Sequence, residues 1–251
     1  MNMTTSNTSI HAAIGPTARR YSGALLIAEG VLAFMPLAIL APAIGWPASL
    51  GEPAAVQLTA IAAEADAVRL GYSVYLLYSL LILPAMAVLA HHTLRGPGAR
   101  APMSLIAVVI GFAAASALAR CIGILRWLTV MPLLAAEYAT ADAAQRPEIE
   151  RLFSALSEYG GSIGEVLGVS LFMAAAMLAL LVPVWRSRSM PRIFSGSGIL
   201  VALSLAALSL PIFGSPELMP IAVAVTALSV WQLVVGAWMI AVRPAIQSNN
   251  T

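Results

Sequence analysis

The 251-residue chain has no lysine; all 13 basic residues are arginine. It has one cysteine, Cys121, which excludes an intramolecular disulfide framework and a cysteine-rich zinc site. Charged residues make up only 10% of the chain and apolar residues 60%. A water-soluble domain carries about 25% charge, so that class is excluded. A wholly disordered chain is excluded too, because it needs low hydrophobicity and high charge. A net charge of +2 is too small to mark a nucleic-acid partner. The sequence also lacks a phosphate-binding glycine loop, a His-Glu-x-x-His motif, an aspartate-rich diphosphate motif and a nucleophile elbow. No cofactor and no metal site is expected.

What remains is long apolar runs. About 20 apolar residues cross a hydrocarbon core as a helix. Six segments meet this, at 21–44, 70–90, 104–134, 163–184, 193–213 and 219–242. The fold class is therefore all-α, a polytopic transmembrane helix bundle. The third segment exceeds one crossing and must tilt or project from the membrane. Polar tails at 1–18 and 246–251 are expected to be disordered and cytoplasmic, flanking one transmembrane domain at 19–245.

The charges orient the bundle. The first tail, the second and fourth loops and the last tail hold Arg19, Arg20, Arg95, Arg100, Arg186, Arg188, Arg192 and Arg243, and no acid. The other three loops hold nine acids against Arg146 and Arg151. Arginine-rich loops stay inside, so both termini are expected in the cytoplasm of a bacterial inner-membrane protein. Arg19, Arg20 and Ala41-Pro42-Ala43 outline a cleavable signal. The long apolar stretch and Glu29 favour a retained span instead.

Two acidic loops carry helical patterns. Residues 54–66 are rich in alanine and leucine and are expected to run on into the second span. In the third loop, Pro147 suits a helix start, and Ile149, Leu152, Phe153, Leu156 and Tyr159 share a face. This short amphipathic helix lies either on the membrane surface or, as we favour, against the protein's own helix ends. Gly160 and Gly161 would then let the chain turn into the fourth span.

Ionisable residues at bilayer depth cost about 2.5–3.5 kcal/mol at the centre and mark functional sites by default. Glu29, Arg120, Arg126 and Glu165 are such residues; Arg69 stands at the end of span two and Gln232 within span six. At about 1.5 Å per residue, Arg126 and Glu165 reach similar depth in the outer half, with Arg120 nearer the middle. Arg126 or Arg120 is expected to pair with Glu165, and Glu29 to reach Arg120 from below. Tyr72, Tyr75, Tyr78 and Trp127 collect at the same level. An outer-half pocket follows, with Arg69, Tyr72, Tyr75, Arg120, Arg126, Trp127 and Gln232 as ligand-binding candidates. With Arg69 inside it, arginine exceeds acid there, which favours an anionic ligand. The competing reading is a buried ion-pair network that sets helix register.

Other features carry less. His91 and His92 point about 100° apart on a helix and are read as interfacial. Cys121 is read as a packing residue. Gly111, Ala115 and Ala119 form a small-residue stripe suited to close helix contact.

Ala119-Arg120-Cys121-Ile122-Gly123-Ile124-Leu125-Arg126-Trp127, then Tyr159-Gly160 and Gly164-Glu165-Val166-Leu167-Gly168, resemble a family of bacterial polytopic membrane proteins carried as a domain of unknown function (4386). Leu70-Gly71-Tyr72 and Leu80-Leu81-Ile82-Leu83-Pro84 are similar to it too. The resemblance covers the central two-thirds of the chain. It implies that Arg120, Arg126, Trp127 and Glu165 act as a unit, and implies no activity.

Three functions stay open. The first is binding of a small amphipathic or anionic ligand, beside membrane lipids as the surrounding partner. The second is a membrane-embedded enzyme of isomerase, cyclase or hydrolase type on an isoprenoid or acyl substrate, with Glu165 or Glu29 as acid or base. The third is a proton-coupled transporter, disfavoured by unequal halves and no obviously broken helix. The oligomeric state stays open as well.

Overall fold

The computed structural model describes residues 16–95 and 101–241. Arg100 and Arg243 fall outside these, as do the expected tails, except that Pro16 already opens a helix. The described residues are almost all helical, with no strand among them. In chain order the helices are α1 (Pro16–Leu32), α2 (Met35–Ile44), α3 (Ala54–Ala63), α4 (Ala65–Leu94), α5 (Met103–Leu128) and α6 (Val130–Thr140). Next come α7 (Arg146–Gly161), a π-helical segment (Ser162–Phe172), α8 (Met173–Ser187), α9 (Arg192–Ala207) and α10 (Ile221–Ala241).

Among the described residues, five helical stretches are long and apolar enough to cross a membrane: Arg19–Ile44, Ala65–Leu94, Met103–Thr140, Arg146–Ser187 and Ile221–Ala241. The run at 193–213 is met by α9, of 16 residues, followed by a 3-10 turn at Leu210–Phe213. The surface is apolar as well as the core, and a few polar groups lie inside. Leu70, Leu77, Leu118, Leu200 and Val223 face outward, while Glu29, Ser79, Ser116, Arg120, Ser170, Ser195 and Gln232 are buried. Such an arrangement suits an apolar solvent, in which buried polar groups seek one another.

Small side chains let the helices approach. α1 lies antiparallel on α10: a Cβ on Gly23 would meet the Gly236 carbonyl oxygen at 2.6 Å, and one on Gly30 the Ser229 carbonyl oxygen at 2.9 Å. α1 and α10 thus close the bundle, and Pro16 and Ala241 share one end. α5 meets the π segment just as closely. A Cβ on Gly123 would stand 2.8 Å from the Gly164 Cα, and Ser116 donates to the Gly168 carbonyl at 2.7 Å. Of the expected stripe, Ala119 is buried at this contact, its carbonyl oxygen 3.9 Å from a Cβ built on Gly164. Gly111 is exposed with open space around it.

At the end opposite Pro16 and Ala241, α3, α6 and α7 pack together as a cap. Leu58, Ile61, Met131, Leu134 and Phe153 fill it and rest on Tyr72 and Trp127 of the spans. The cap bears on three expectations. The long third span is not one rod: it breaks at Thr129, and α6 turns to pack on α3 and α7. The helix after residue 54 breaks at Glu64 before α4 begins. The amphipathic helix α7 packs Ile149, Phe153 and Leu156 on the protein itself, while Leu152 and Tyr159 stay exposed. It then runs straight through Gly160 and Gly161 without a turn.

Two spans are irregular. α1 and α2 are interrupted at Ala33-Phe34, just before Pro36, whose missing N–H removes a helical hydrogen bond. Sequence reading finds no broken helix; the structure has one here. The π segment spans 11 residues, far beyond the usual single-turn π-bulge, and such bulges gather at functional sites.

Candidate functional site

A cavity of about 140 Å³ lies where the cap meets the spans. Its inner wall is Tyr72 and Tyr75 of α4 with Arg120, Gly123, Arg126 and Trp127 of α5. Gly160, Gly161, Gly164 and Glu165 form one side; Phe34, Leu37 and Trp46, with Ala222, Thr226 and Ser229 of α10, form the other.

Glycines seat both arginines. A Cβ on Gly160 would come 2.7 Å from Arg126 Nη1 and 2.8 Å from its Cδ. A Cβ on Gly168 would meet Arg120 Cγ at 2.8 Å and its backbone nitrogen at 2.9 Å. The two guanidinium stems therefore lie in grooves that only glycine leaves open.

Aromatic faces then orient the charges. Arg126 stands 5.5 Å from the Trp127 ring centre, and Arg120 5.6 Å from that of Tyr78. Arg120 Nη1 donates to the Tyr78 hydroxyl at 3.2 Å. Tyr72 stacks on Trp127 at 4.8 Å, with 3° between planes. Tyr75 sits between Tyr72 and Trp46, meeting Trp46 edge-on at 6.0 Å. These contacts form a continuous aromatic wall along the cavity.

The polar atoms of this wall are under-used. Arg120 Nε and Nη2, Arg126 Nε and the Tyr72 hydroxyl are buried with no hydrogen-bond partner in the protein. Arg126 and Glu165 influence one another electrostatically. They are nevertheless not an ion pair. Among the described residues, the salt bridge present is the exposed Arg151–Glu148, at 3.1 Å. The expected pairing of Arg126 or Arg120 with Glu165 is thus not closed. Buried polar groups are normally paired, so this set is arranged around a space rather than around itself.

The chain belongs to the family described as Domain of unknown function (DUF4386), matched over residues 21–242. No curated protein and no solved structure matches it.

In this DUF4386 chain the candidate residues divide into three groups. Tyr72, Tyr75, Arg120, Arg126, Trp127 and Glu165 line the cavity together. Glu29 and Gln232 do not; they are fully buried between α1 and α10, beside Arg120. Both Glu29 oxygens and both Gln232 side-chain polar atoms lack partners at hydrogen-bond geometry. Arg69 joins neither group: it is exposed and off the cavity. The arginine excess that it supplied to the sequence reading goes with it.

Sequence reading missed Trp46, Ser229 and the glycine seats. Trp46 follows Gly45 at the end of α2, a left-handed cap that directs the ring back over the cavity. Gly160, Gly164 and Gly168 repeat at spacing four, and that repeat was the available signal.

Proposed function

We propose that this is a six-span bacterial inner-membrane protein with both termini cytoplasmic. It binds the polar head of a small amphipathic molecule or lipid in its outer half. Arg120 and Arg126 donate to the ligand's acidic group. The observation that carries this reading is the set of buried, unpartnered donors on Arg120, Arg126 and Tyr72 around one cavity. Each such group otherwise costs about 1–3 kcal/mol of desolvation.

The six-span count is supported by α9 with its 3-10 turn, roughly 30 Å long at 1.5–2.0 Å per residue, which matches the hydrocarbon thickness. Orientation is supported by Arg19, Arg20, Arg95, Arg186, Arg188 and Arg192, all on the tail and loops at the end that holds Pro16 and Ala241.

Mass spectrometry of what co-purifies in mild detergent tests the binding reading. Wild type should retain a stoichiometric molecule that Arg126→Ala loses. Identical content in both preparations would refute it.

A second reading, acid–base chemistry on an apolar substrate, is favoured by Glu165, which faces the cavity free of any ion pair.

A further inference from the structure

The charges around the cavity are of both signs. Two guanidinium groups, Arg120 and Arg126, stand on the inner wall; one carboxylate, Glu165, stands at the exposed rim. Glu29 lies behind Arg120, out of the cavity, and opposes its charge. A purely anionic guest would meet donors inside and a carboxylate at the entrance. A guest with both signs would satisfy both, beside the Tyr75 and Trp46 rings that line the same space.

Size and access narrow the guest further. A cavity of about 140 Å³ is close to one that holds benzene, about 150 Å³. It takes a head group and no acyl chain. The chain must leave through the mouth. There Phe34, Leu37, Ala222 and Thr226 are exposed, and α10 packs on α1 and α9 but not along the π segment. The mouth therefore opens sideways, between two spans, where lipid would lie.

Building on the binding reading above, we propose that the cavity takes the head group of a zwitterionic membrane lipid, an acidic phosphate carrying a nearby ammonium, admitted sideways between α10 and the π segment. The phosphate lies among Arg120, Arg126 and Tyr72. The ammonium lies toward Glu165.

Native mass spectrometry of the full-length protein in mild detergent tests this with phosphatidylethanolamine, phosphatidylglycerol and soluble phosphoethanolamine as probes. Wild type should hold phosphatidylethanolamine at least tenfold more tightly than phosphatidylglycerol. Glu165→Gln should abolish that preference while keeping phosphatidylglycerol binding, and Glu165→Asp should restore it. Ala222→Trp, at the mouth, should exclude the lipid yet admit phosphoethanolamine. Equal lipid affinities in wild type, or a preference that survives Glu165→Gln, would overturn the zwitterion and leave the binding reading standing. Unchanged lipid binding by Ala222→Trp would overturn sideways admission. Binding of phosphoethanolamine without either lipid would overturn the lipid class. Failure of all three probes, with nothing lost in Arg126→Ala, would overturn both readings.

Discussion

The Arg126 side chain lies across Gly160, so that a methyl group at Gly160 would stand 2.7 Å from Nη1. The obstacle is the far end of a flexible side chain, which can move, whereas the backbone of α7 need not. Gly160→Ala should therefore leave stability within about 1 kcal/mol, since the helix gains about 0.5–1 kcal/mol from alanine. It should still displace the guanidinium and reduce ligand retention several-fold. Native mass spectrometry beside a thermal melt separates the two effects; a lower melting temperature with full retention would contradict this role.

Gly123 faces a different obstacle. Its Cβ would meet the Gly164 Cα at 2.8 Å and the Gly160 carbonyl oxygen at 2.9 Å, both backbone. Gly123→Ala should destabilise the bundle by about 1–3 kcal/mol. Gly111→Ala, with nothing within 4 Å, should be neutral or stabilising. Thermal melts in one detergent compare the pair, and equal shifts would count against the close α5–π contact.

Glu29 and Arg120 are both buried and act on one another without a hydrogen bond between them. Removing either charge leaves the other unopposed in an apolar interior. Glu29→Gln and Arg120→Met should each destabilise. The double variant should lose less than their sum, by about 0.5–3 kcal/mol of coupling. Additive unfolding energies would show that the two sites are independent.

Orientation is open to labelling. Cys121 is the one cysteine, so Cys121→Ala makes a clean background. Thr140→Cys and Ser187→Cys are exposed positions at opposite ends of the bundle. A membrane-impermeant thiol reagent added to intact cells should modify the first and spare the second. The reverse pattern would invert the topology.

Much of the fold was legible because a membrane imposes a simple length and hydropathy rule. The segments at 21–44, 70–90, 163–184 and 219–242 fall on described helices, apart from the break at Ala33-Phe34, Met219 and Pro220 just before α10, and residue 242, which lies outside the described residues. The break at Thr129 was not legible, because residues on both sides of it are equally apolar and the turn is set by packing of α6 on α3 and α7. The cavity's charged and aromatic wall was legible from depth, since Arg120, Arg126, Trp127 and Glu165 are costly or distinctive in hydrocarbon. Arg69 misled because sharing a helix face with Tyr72 fixes direction only locally; one turn nearer the helix end, it reaches the exterior. Of the glycine seats, Gly160 was read as part of a turn and Gly168 was given no role. Their actual role depends on which side chain lies opposite, and only tertiary contact reveals that.

The antiparallel contact between α1 and α10, through Gly23 against Gly236 and Gly30 against Ser229, has a consequence for synthesis. α1 leaves the ribosome long before α10, its partner, is made. Ala222, Thr226 and Ser229 of the cavity wall arrive with α10. Glu29 must wait in the nascent bundle until the segment carrying Gln232 packs beside it. The binding site is therefore complete only once α10 is in place, and a ribosome that stops before α10 releases a bundle with its polar interior open along one flank.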